Sequence, residues 1–131
     1  MVKQILKLSL CTLVLCSFIT LVFAESGDRV AFDLPNVESY HEKIDKTNKV
    51  ADVSLNADLF NHYDAKLGLS LLKKALFGYS FISRCTNDIS GLDSTSCTWK
   101  EQPKKMYKGV VVVDSKASYV DSIEGFMYIS W

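Results

Sequence analysis

DVSLNADLFNHYDAKLGLSLLKKALF, residues 52–77, is the longest patterned stretch of this chain. Val53, Ala57, Phe60, Leu67 and Leu71 recur at spacings of four, three, seven and four, the repeat of one face of a helix. Ser54, ahead of Ala57 and Asp58, can supply the N-terminal cap. Lys73 and Lys74 suit a last turn, where the helix dipole is negative, and Gly78 is a natural stop. Gly68 weakens the middle by about 1 kcal/mol relative to Ala, so the stretch is expected as one kinked helix or as two. Leu67 to Gly78 also has the composition of a membrane-active peptide. Beside a sheet, it is expected instead to be a core-facing helix whose lysines snorkel to the surface.

Toward the N-terminus the pattern weakens. Val37 to Lys49 is polar and helix-tolerant, with Tyr40 and Ile44 four apart, and predicts a short exposed helix. Glu25 to Asn36, broken by Gly27 and Pro35, is expected to be irregular.

Beyond Gly78 the period changes to two. Tyr79, Phe81 and Ser83 alternate with Ser80, Ile82 and Arg84, and Cys97 to Trp99 makes a second short strand. Met106 to Val113 ends in four consecutive valines, a β-branched run suited to a central strand. Ala117 to Asp121 and Phe126 to Trp131 flank Ser122 to Gly125, which reads as a hairpin turn with Gly125 in the left-handed position. Helices first and strands after predict an α+β fold, with N-terminal helix or helices packed on a C-terminal antiparallel sheet.

The first 24 residues have a separate character. Lys3 and Lys7 form a cationic start, Leu8 to Phe23 is free of charge, and Val22-Phe23-Ala24 offers small residues before an abruptly polar Glu25. This is the layout of a secretory signal peptide cut between Ala24 and Glu25. The alternative is an uncleaved anchor, but the uncharged run of 16 residues is short of the roughly 20 that a spanning helix needs. Residues 25–131 are then a single small domain that does not span a membrane. It is exported to the extracellular space, or to the periplasm in a bacterium.

Cys11 and Cys16 leave with the signal, and Cys85 and Cys97 remain. An even pair in an exported chain reads as one disulfide, with only one possible pairing. Two cysteines alone are an incomplete zinc site. No Asn-x-Ser/Thr acceptor occurs, so N-glycosylation is not expected.

The whole chain carries 15 basic and 15 acidic residues. Losing Lys3 and Lys7 leaves the domain slightly acidic, which argues against nucleic acid as a partner and against binding driven mainly by anionic membrane.

No catalytic motif stands out. His41 with Asp45, and Asp58 with His62, are four apart and could pair on helix faces or hold a divalent ion. Surface ion pairing accounts for them as well, and neither a metal nor another cofactor is expected. His41 and His62 could also serve as acid and base of a small secreted nuclease. That reading requires them to converge with Arg84. The serine, cysteine and phosphate-loop motifs of enzymes are missing. Lys100, Lys104, Lys105 and Lys108, together with Trp99 and Tyr107, crowd one connection and form one candidate contact surface; the Thr86 to Ser96 loop closed by the bridge is the other. The expected function is therefore that of a small exported, non-catalytic binding protein whose partner is another protein. A secreted hydrolase is the alternative.

Overall fold

A computed structural model describes residues 27–131 of the chain. The expected signal peptide and its cut site at Ala24 and Glu25 lie outside the described residues. Among those residues there is no helix. Eight strands follow one another: β1 (Val30–Leu34), β2 (Tyr40–Lys46), β3 (Ala51–Leu59), β4 (Ala65–Lys74), β5 (Tyr79–Asp88), β6 (Ser94–Gln102), β7 (Met106–Lys116) and β8 (Ile123–Ser130). The α+β expectation is overturned; the domain is all-β.

The reason lies in the spacing that suggested helix. Residues four apart share a helix face, but four is an even number, so they also share a strand face. Val53 and Ala57 fall together on β3, and Leu67 and Leu71 fall together on β4. The residues between them settle the period. Leu55 and Leu69 are fully buried beside those four, while Asp52 and Lys66 are exposed. Phe60 to Asp64 is the connection between the two strands. Tyr40 and Ile44 likewise sit on the exposed side of a strand, β2, and not of a helix. At the other end of the chain, Ala117 to Asp121 is not a strand. Gly125 is no turn residue either: it lies within β8, opposite Phe32 on one side and Leu59 on the other. The backbone of Asp58 passes so close to it that a side chain has no room.

All pairings are antiparallel, and they build two four-stranded sheets in the orders β1-β8-β3-β6 and β2-β7-β4-β5. This order is that of a jelly roll, two Greek keys folded face to face. Inward side chains of both sheets meet in one core. Val53, Leu55, Met127 and Ile129 come from the first sheet, and Leu67, Leu69, Tyr107 and Val111 from the second. Only the β4–β5 connection stays within one sheet, and every other one crosses between the two.

The expected disulfide between Cys85 and Cys97 is present, with the two Cα atoms 6.5 Å apart. It does more than close a loop. Cys85 lies on β5 and Cys97 on β6, which are edge strands of opposite sheets. The bridge therefore fastens one open side of the sandwich. Polar contacts continue the fastening along the same side. Asn87 donates to Thr95 (2.7 Å) and to the Ser96 carbonyl (3.1 Å), and the Trp99 indole donates to the Ser83 hydroxyl.

Candidate functional site

Register places the connections at two ends of the sandwich. Lys46 pairs with Met106, Lys73 with Tyr107 and Ala51 with Gln102. The β2–β3, β4–β5 and β6–β7 connections therefore share one end, and a backbone bond from Thr47 to Lys105 (3.1 Å) ties two of them together. The remaining four connections share the other end.

Charge divides along the same axis. Lys46, Lys49, Lys73, Lys74, Lys104 and Lys105 all lie at the first end, and all but Lys73 are exposed. Three carboxylates, Asp45, Asp52 and Glu101, are interspersed with them, and Asp52 is already engaged. It accepts the Glu101 amide (2.9 Å) and the Lys100 ammonium (3.2 Å), which holds its carboxyl below the ordinary value. The opposite end carries Glu38, Asp64, Asp88, Asp93, Asp121 and Glu124, with Lys66 and Lys116 as its lysines. The balanced total of the sequence thus conceals a molecule with a basic pole and an acidic pole.

The basic pole also carries an apolar tip. The β4–β5 hairpin turns through Ala75-Leu76-Phe77-Gly78, closed by a bond from the Ala75 amide to the Gly78 carbonyl (3.0 Å). Gly78 adopts the left-handed conformation (φ 71°) that such a turn requires. Leu76 and Phe77 stand at the apex, each 89% exposed. Turn apices ordinarily carry Asn, Asp, Gly, Pro or Ser. Behind the tip, the Lys74 and Lys108 ammonium groups lie over the Tyr79 ring, at 5.3 and 4.6 Å from its centre. Phe81 is exposed on the same hairpin, and Val50 on the neighbouring connection.

The residues proposed from sequence as a contact surface separate into two groups. Lys100, Lys104 and Lys105 are exposed at the basic pole. Lys108 lies on the outer face of β7, within 3.6 Å of Glu42. Trp99 and Tyr107 face the interior, Tyr107 completely, and burial raises the tyrosine's pKa. Each is one residue away from a lysine, and in a strand neighbouring side chains point to opposite faces. Leu76, Phe77, Lys49 and Lys74 were not part of that surface. The fold brings them to it from distant parts of the chain.

The candidate acid–base residues are divided by the second sheet. His41 pairs with Val111 and lies on the core side of β2, whereas Arg84 lies on the outer side of β5, opposite Ser70. Arg84 forms an ion pair with Asp114 there, with Gly68 leaving room for its guanidinium. His62 is at the acidic pole, 2.7 Å from Asp93. Asp58, its partner in the sequence, is paired with Arg29 on the outside of the first sheet. Among the described residues no three His, Cys, Asp or Glu side chains gather as a metal site would require. Two shallow depressions, of about 210 and 300 Å3, both lie at the acidic pole and include Asp64 and His62 respectively. Among the described residues no helix is long and apolar enough to cross a membrane.

No protein-family model matches the chain, and no curated protein matches it in sequence. Solved structures show some likeness to it. A protein of Sulfurospirillum deleyianum superposes with a TM-score of 0.52 at 10% identity, over 79% of this chain and 97% of that one. PirA gives 0.46 at 13% identity, over 83% and 97%. The CBM36-1 domain of a multidomain xylanase from the hindgut metagenome of Trinervitermes trinervoides gives 0.43 at 13% identity, over 81% and 89%. At 10% identity the likeness to the Sulfurospirillum deleyianum protein is one of fold alone.

Proposed function

We propose that this chain is a small exported, non-catalytic binding domain that meets its partner through the basic pole. The observation that carries the reading is the separation of charge. Lysines from three connections crowd one end of a rigid sandwich, while carboxylates collect at the other. Such a layout steers and orients a negatively charged partner surface. Loops held by a stiff β scaffold are a common place for contacts. The disulfide fits an oxidising compartment, and export would follow from the N-terminal segment. The hydrolase alternative is weakened by the placement of His41 and Arg84 on opposite faces of one sheet.

The test is capture from the compartment in which the protein resides. The wild type is compared with Lys104→Glu/Lys105→Glu at the basic pole and with Asp93→Lys/Asp121→Lys at the acidic pole. The reading predicts that captured material is lost from the first variant and kept by the second. Equal capture by all three proteins would end it.

A further inference from the structure

We infer that the partner of the basic pole is an anionic lipid bilayer, with Leu76 and Phe77 inserted at its interface. This rests on the reading of the basic pole as the contact surface, and it names what is contacted. Four observations converge. Leu76 and Phe77 are each 89% exposed at the apex of the hairpin that stays within a sheet, so they project away from the core of the described residues. The closure of the turn is carried by Gly78 and the Ala75 amide and requires no apolar residue at the apex. Lys73 and Lys74 flank the tip in sequence, and Lys46, Lys49, Lys104 and Lys105 lie at the same end of the sandwich. Finally, the tip stands out into solvent, whereas the depressions lined by Asp64 and by His62 lie at the opposite pole.

An exposed pair of apolar side chains with ammonium groups behind it matches the layered chemistry of a membrane surface. Acyl chains receive the tip, and phosphates and carboxylates of the headgroups meet the lysines. Tyr79, half-buried just behind the tip, stands where interfacial aromatic rings are found. Val50, 67% exposed on the β2–β3 connection at the same end, offers a second apolar contact. The acidic pole would face away from the lipid, so approach is oriented as well as attracted. Two side chains bury too little to anchor a domain alone, so binding depends on both the tip and the lysines and weakens with salt.

The experiment uses the protein as exported, purified in its oxidised form, and vesicles of phosphatidylcholine with or without phosphatidylserine. Wild type is expected to sediment with the anionic vesicles and not with the neutral ones. Leu76→Ser/Phe77→Ser and Lys73→Glu/Lys74→Glu should each weaken sedimentation by about tenfold or more, with near-ultraviolet circular dichroism unchanged. Asp93→Lys/Asp121→Lys should not weaken it. In Phe77→Trp, emission should shift to the blue on adding anionic vesicles and be quenched by brominated acyl chains. No sedimentation by the wild type, full sedimentation by the Leu76→Ser/Phe77→Ser variant, or an unshifted Phe77→Trp emission would each overturn the inference. If vesicles fail while Lys104→Glu/Lys105→Glu still loses a captured protein, the lipid is wrong and the basic pole stands. If that variant loses nothing, the basic pole falls too.

Discussion

The indole nitrogen of Trp99 donates its hydrogen to the hydroxyl of Ser83, joining the edge strand of one sheet to the edge strand of the other. The bond lies next to the Cys85–Cys97 bridge, and Trp99 is otherwise packed into the core. Ser83→Ala should therefore leave a largely buried donor without its partner. The expected cost is about 1–2 kcal/mol, read as a lower urea midpoint at unchanged slope. An unchanged midpoint would mean that the indole finds another acceptor.

The bridge itself joins residues 12 apart in sequence. In the chain-entropy model that is worth about 3 kcal/mol. Cys85→Ala/Cys97→Ala is expected to lower stability by about 2–4 kcal/mol in chemical denaturation, with the native circular dichroism spectrum retained at low temperature. The single variant Cys85→Ala should expose the thiol at Cys97 to labelling once the β5–β6 side loosens.

Two glycines differ in the kind of obstacle they face. A methyl at Gly109 would come within 2.6 Å of Leu55 Cδ1, the end of a side chain. Gly109→Ala should cost about 1–3 kcal/mol, and adding Leu55→Val should recover part of it. At Gly125 the nearest atom is the Asp58 carbonyl oxygen, which belongs to the backbone. Gly125→Ala should be the more damaging change, and Phe32→Leu should not rescue it. Thermal midpoints of the four proteins test the contrast.

Acid should weaken the domain in a defined range. Asp52 is held below its ordinary value of 3.8 first by the Glu101 amide and then by Lys100. Asp88 is held below the same value chiefly by the Ser90 amide. A carboxyl whose pKa is lower folded than unfolded contributes stability that is fully present above the unfolded value. That contribution is lost as pH falls through the folded value. Thermal midpoints should therefore fall as pH drops below about 4. In Asp52→Asn/Asp88→Asn the midpoint should start lower at neutral pH and change less across that range. A parallel pair of curves would rule out these two groups as the cause.

The sequence was most legible where neighbouring side chains contrast. The valines from Val110 to Val113 and the alternation from Tyr79 to Arg84 lie within real strands, and the two cysteines do form the bridge. It was least legible where apolar residues sit four apart, because that spacing serves both regular structures. Val53 with Ala57 and Leu67 with Leu71 satisfied the helix pattern, and Leu55 and Leu69 between them carried the contrary signal. Gly125 misled for a different reason. A glycine can mark a close approach of two backbones as well as a turn. The lysines around residue 104 were visible as a local cluster. Their union with Lys49, Lys74 and the Leu76–Phe77 tip was not, because only the crossing connections of the jelly roll bring those segments to one end.

Among the described residues β1 pairs with β8 alone, and Val30 meets Met127, 97 positions later. A chain delivered N-terminus first therefore carries an unmated strand until residues 123–130 arrive. No early portion of the polypeptide can close into a finished unit, and contacts this distant in sequence form slowly. Passage through any narrow channel would thus find the chain still pliable. Completion would come all at once, when the tail slots between the head and the middle strand.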